Sequence, residues 1–134
     1  MTDTAVRPDQ TAGPPPAHPL DPATGAEYLV GRDIMAKAGL LAQPVRFAYY
    51  GLEEAAKDDV LAGAAADRRL RAYLVNTGTG ESTDVVVSLT TSKLITARTL
   101  DPPVDGQMPI LDSDFALVDE IGRASCRERV CYVV

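Results

Sequence analysis

Arg69-Leu-Arg-Ala-Tyr-Leu-Val75, Asn76-Thr-Gly-Thr-Gly80 and Asp84-Val-Val-Val-Ser-Leu-Thr90 follow one another along the chain, and their reading decides the fold. The first run alternates larger apolar residues with polar or small ones, as a strand with one buried face does. The third is rich in β-branched valine and threonine, which suit a pleated, half-buried surface. Between them lies an Asn- and Gly-rich turn, and a link this short joins antiparallel neighbours. Working outward, Leu94 to Leu100 is a further strand behind the tight connection Thr91-Ser-Lys93, and Val45 to Leu52 is an earlier one. The acidic, alanine-rich segment Glu53 to Asp67 reads as a loop or a short helical excursion between the first two strands.

Ahead of the strands, Thr24-Gly-Ala-Glu27 has the pattern in which a hydroxyl and a carboxylate each satisfy a free amide at a helix start. Ala26, Val30, Ile34, Ala38 and Leu41 follow at helical spacing and predict the apolar face. Lys37 suits the last turn, and Gly39 can take the left-handed conformation that ends a helix. Gly31 weakens the middle by about 1 kcal/mol relative to alanine, so this helix needs a sheet to lie on. The predicted fold class is α+β, with one helix packed on a four-stranded antiparallel sheet. After Asp101-Pro-Pro103 the chain turns away, and Ser113 to Asp119 predicts a second helix capped by Ser113, with Phe115 and Val118 on its apolar side and Leu117 nearby.

The flanks read differently from the body. Residues 1–19 include Pro14, Pro15, Pro16 and Pro19 among polar residues, a composition that predicts a disordered leader. At the other end, Ile121-Gly-Arg-Ala-Ser-Cys-Arg-Glu-Arg-Val130 back-translates into ATC GGA AGA GCG TCG TGT AGG GAA AGA GTG, which resembles a sequencing-library adapter read in frame. Residues 121–134 are therefore expected to be a non-native tail, and both cysteines, Cys126 and Cys131, fall within it.

The 134 residues carry 13 basic and 19 acidic side chains, a net charge of −6. Without the tail the balance is 10 basic against 18 acidic, and a body this acidic repels nucleic acid and anionic membranes. The start lacks the basic region and apolar run of a secretory signal, and no apolar run has the length of a spanning helix. A cytoplasmic location is the expectation.

A search for catalytic chemistry finds little. His18 is the one histidine, so one chain cannot assemble a histidine metal cage or a histidine-dependent triad. Glu53-Glu54 and Asp58-Asp59 lack calcium-loop spacing and read as solvated surface. Gly78-Thr-Gly80 has no lysine and serine in phosphate-loop spacing, so it reads as a hairpin turn. Arg68, Arg69 and Arg71 form the basic cluster of the body and are expected to pair with nearby acids or to meet a neighbouring domain. Tyr49, Tyr50 and Tyr73 are expected in sheet packing.

The arrangement is cystatin-like, and two families of that shape bear comparison. Cystatin-type protease inhibitors carry Gln-x-Val-x-Gly; Gln43-Pro-Val-Arg-Phe47 places Phe47 where the glycine belongs, so the inhibitor reading fails. By contrast His18-Pro-Leu-Asp-Pro22, Thr24-x-x-Glu27, Ala38-Gly-Leu-Leu41, Arg46-Phe-Ala-Tyr-Tyr-Gly51, Asp67-Arg-Arg69, Val85-Val-Val-Ser-Leu-Thr90 and Met108-Pro-Ile-Leu111 occur in an order that resembles the N2 domain of copper-containing primary-amine oxidases. The resemblance covers about residues 18–120.

It implies a parent that converts a primary amine, oxygen and water to an aldehyde, ammonia and hydrogen peroxide with copper and topaquinone. The family's precursor tyrosine lies in Asn-Tyr-Asp/Glu, and none of Tyr28, Tyr49, Tyr50, Tyr73 or Tyr132 follows an asparagine. The family's copper histidines and catalytic aspartate belong to a large carboxy-terminal β-sandwich. No catalytic, cofactor-binding or metal-binding residue is therefore assigned in this chain, and no cofactor is expected to bind it.

The implied organisation is a leader (1–19), an N2-like domain (20–112), the start of a linker helix to a second domain (113–120) and the tail. The implied partners are that second domain and the catalytic sandwich of a homodimeric parent. A free-standing cystatin-like binding module is the alternative.

Overall fold

In the computed structural model, which describes residues 18–63, 66–111, 113–116 and 118–121, Val75 faces Ser82 across a tight turn and seeds the central hairpin. The Asn76 amide donates to the Glu81 carbonyl (2.8 Å) and the Gly80 amide to the Asn76 carbonyl (2.7 Å). The Asn76 side-chain oxygen accepts from the amides of Gly78 and Thr79 at 2.9 and 3.2 Å. Gly80 sits at φ +78°, a conformation that glycine adopts without steric cost.

From this hairpin the sheet grows in both directions. Strands β1 (Val45–Glu53), β2 (Arg69–Asn76), β3 (Ser82–Ser88) and β4 (Lys93–Thr99) pair antiparallel in the order β1-β2-β3-β4. Bulges interrupt the ladder between Phe47 and Tyr49 on β1 and opposite Val86 and Val87 on β4. The β3 ladder begins two residues earlier than the β-branched run predicts, because the Asn76 turn hands the chain straight into pairing. Leu89 and Thr90, counted with the strand by composition, instead hold the start of β2: the Leu89 amide donates to the Arg68 carbonyl (2.8 Å), and the Arg68 amide to Thr90 Oγ1 (3.1 Å).

Helix α1 (Gly25–Lys37) starts at the predicted capping box. The Glu27 amide donates to Thr24 Oγ1 at 3.3 Å, and the Thr24 amide to Glu27 Oε2 at 2.8 Å. Gly39 takes φ +76° just beyond its end. The face turned to the sheet is shifted from the predicted one: Ile34 and Leu41 pack against the core as expected, but its centre lies elsewhere. Met35 is fully buried and Gly31 is buried, whereas Val30 remains 42% exposed and Ala38 is exposed. Gly31, having no side chain, leaves the helix backbone open to the side chains of Tyr50 and Leu70. A Cβ there would lie 2.3 Å from Tyr50 Oη and 2.8 Å from Leu70 Cδ1.

Met35 thus meets Leu70, Ala72 and Leu74 of β2 and Val85 and Val87 of β3 in one core, with Tyr28, Ile34, Tyr50 and Leu52 packed around it. Burying side chains of this size contributes about 1.5–3 kcal/mol each. The other edge of the layer is thin, since all seven residues of β4 are exposed.

The segment between β1 and β2 contains a one-turn helix, α2 (Lys57–Leu61), and the chain after β4 makes another, α3 (Pro102–Asp105). Residues 113–116 and 118–121 are helical, and Ser113 lies already within the helical run. The turn into it is closed by Asp114, whose amide donates to the Leu111 carbonyl (2.9 Å) and whose carboxylate accepts from the Leu111 amide (3.3 Å). The tail beyond residue 121, with both cysteines, and the leader up to residue 17 lie outside the described residues.

Candidate functional site

The three arginines at the start of β2 are where most of the charge converges. Alternation sends Arg69 and Arg71 to the sheet face away from α1. There Arg71 reaches Glu53 on β1 and Asp84 on β3, each at 3.1 Å, so one guanidinium crosses three strands. Arg69 pairs with Asp67 at 2.6 Å, and Asp67 also accepts from the fully buried Ser88 hydroxyl at 2.6 Å. The Ser88 hydrogen bond, followed by Arg69, holds the Asp67 carboxyl below the usual carboxylate range. Arg98 grips both oxygens of Asp105 at 2.9 Å and so ties α3 to β4.

Arg68 lies on the opposite side and pairs with Glu27, the carboxylate of the α1 capping box. This pairing spans 41 positions of sequence and was not predictable from local spacing. The Arg68 hydrogen bond lowers the Glu27 carboxyl below its ordinary value and outweighs the effect of burial.

The tyrosines pack as expected. Tyr50 stacks on Phe47 and meets Tyr28 edge-on, with centroids 5.1 and 4.9 Å apart, and its hydroxyl donates to the Tyr28 carbonyl at 2.7 Å. Burial, then the neighbouring Tyr28, pushes the Tyr50 phenol up to about 12. Tyr49 and Tyr73 lie against each other on the far face, 5.7 Å apart.

The remaining sequence candidates fall in separate places. His18 Nδ1 accepts from the Leu20 amide (3.1 Å) in a local turn. Glu53, Glu54 and Asp59 line a shallow depression of about 430 Å³ together with Asp67 and Arg69. Among the described residues no group of three or more His, Cys, Asp or Glu could hold a metal ion. No buried side-chain nitrogen or oxygen among them lacks a hydrogen-bond partner. An apolar concavity of about 600 Å³ lies between α1 and the start of β4, lined by Val30, Ile34, Ala38 and Leu94 together with Lys37 and Lys93. Among the described residues the ion pairs of Arg68 with Glu27, Arg71 with Glu53 and Asp84, and Arg98 with Asp105 each join separate elements.

The family model described as the AGAO-like N2 domain matches residues 24–96, from the capping threonine of α1 into β4. The chain belongs to this family. Its N2 domain is similar to histamine oxidase of Arthrobacter globiformis, 38% identical over 107 residues that make up 78% of this chain and 15% of that protein. It is also similar to a primary amine oxidase and a copper methylamine oxidase of Arthrobacter sp. (strain P1), each 32% identical over 107 residues, 80% of this chain and 16% of theirs. The chain thus spans about one sixth of the length of these relatives. The N2 domain's own residues do not fit copper or topaquinone: the sequence has one histidine, already accepting from a backbone amide, and no tyrosine preceded by asparagine.

Proposed function

We infer that this chain serves as the non-catalytic N2 module of a copper- and topaquinone-dependent primary-amine oxidase. The whole enzyme would deaminate a primary amine to an aldehyde, with release of ammonia and hydrogen peroxide. The observation that carries the reading is the agreement between the matched span, residues 24–96, and the α1 to β4 unit with its own core. A module built this way contributes a folded surface, while copper, quinone and substrate are handled elsewhere in the parent. Its natural neighbours are then a second small domain and the catalytic sandwich of a homodimer. The helix that begins near residue 113 leads toward the first of these, and residues 121–134 are a foreign tail. No helix among the described residues is long and apolar enough to cross a membrane, and we place the parent in the cytoplasm.

The direct test of the module's role is made on the purified chain. It should bind no stoichiometric copper, show no quinone absorbance and release no peroxide from primary amines. Peroxide above a heat-killed control, abolished by a copper chelator, contradicts the assignment.

A further inference from the structure

His18-Pro-Leu-Asp-Pro22 is one of the motifs that the N2 match, beginning at Thr24, leaves unexplained. The five residues form a small closed turn. The His18 amide donates to the Asp21 carboxylate (2.8 Å) and the Asp21 amide to the His18 carbonyl (3.0 Å). Three of its five carbonyls point at one side chain. Arg68 Nη1 donates to the Pro19 carbonyl at 3.1 Å, and Nη2 to those of Asp21 and Pro22 at 3.0 and 3.3 Å. The same guanidinium holds Glu27 through Nε and Nη2, so the α1 start and the turn are fastened together. The backbone of Arg68 is itself fixed on both sides, by Thr90 and by Leu89. A planar fork with five donors can hold carbonyls and a carboxylate at once, which a lysine ammonium cannot reproduce.

We propose that residues 18–22 are a strap latched to the domain by Arg68, able to open as a unit while α1 and the sheet stay folded. Two features separate the strap from the core. Leu20, its one large apolar side chain, is 43% exposed, and Ala23, the first residue packed against the core, lies just past it.

The test is ¹⁵N relaxation on the full chain, comparing the unsubstituted sequence with Arg68→Lys, Arg68→Ala and the control Arg46→Ala, whose arginine bonds Gln43 and Val45 among the described residues. In the Arg68 variants the order parameters of the Leu20 and Asp21 amides should fall from about 0.85 to below about 0.6, with the amides of β2 and β3 unchanged. Arg68→Lys keeps the positive charge and serves if Arg68→Ala does not fold. The proposal is overturned if Leu20 and Asp21 stay rigid in Arg68→Lys, or if the sheet amides loosen together with them.

Discussion

At Gly31 two residue-scale effects oppose each other. Replacing a helical glycine by alanine ordinarily gains about 1 kcal/mol. Here the added methyl would meet Tyr50 Oη and Leu70 Cδ1, and overpacking a filled core costs about 1–3 kcal/mol. Gly31→Ala should therefore lower stability to urea by about 1 kcal/mol. Tyr50→Phe removes the closer clashing atom, so the double variant should be more stable than the sum of the single effects predicts. Additivity would contradict the close approach.

Glu27 makes a second residue-scale prediction. Its folded carboxyl titrates below its unfolded value, so its contribution is present above the ordinary carboxylate range and is lost as pH falls through the depressed value. Glu27→Gln should cost about 1–3 kcal/mol at neutral pH, and the difference from the unsubstituted chain should close at an acid pH below the depressed value. An equal difference at both pH values would mean that the pairing with Arg68 does not carry it.

At the scale of elements, α1 is tested by its two candidate faces. Met35→Ala should cost about 2–5 kcal/mol by opening a cavity beneath the helix. Val30→Ala, on the half-exposed margin, should change stability by about 0.5 kcal/mol. The reverse ranking would restore the face centred on Ala26, Val30 and Ile34. The strands and their meander order were legible because alternation and short turns are local signals, and the capping box was legible for the same reason. The rotation of α1 was not, because periodicity treats Gly31 as a gap, although the side chains of Tyr50 and Leu70 pack against it. A pattern of Tyr28, Gly31 and Met35 on one face was available as a signal. The pairing of Arg71 with acids could be anticipated from strand alternation, but the one between Arg68 and Glu27 joins segments that only the folded chain brings together.

For the whole molecule, the assembled charges, tyrosines and core all serve connection, which suits a domain whose chemistry is carried out elsewhere in a larger protein. If residues 121–134 are foreign to it, deleting them should alter stability by no more than about 1 kcal/mol. The deletion should also abolish any disulfide-linked dimer, since Cys126 and Cys131 are the two cysteines of the sequence. Unfolding of the truncated chain would make the tail native structure. The central claim, that this is the N2 domain of an amine oxidase, is tested most directly by sequencing the genomic locus past the codon for Glu120. The reading frame should continue into a second small domain and then a large domain bearing Asn-Tyr-Asp/Glu and copper-binding histidines. A natural frame that ends at Val134, or one that continues without that tyrosine motif and those histidines, would contradict it.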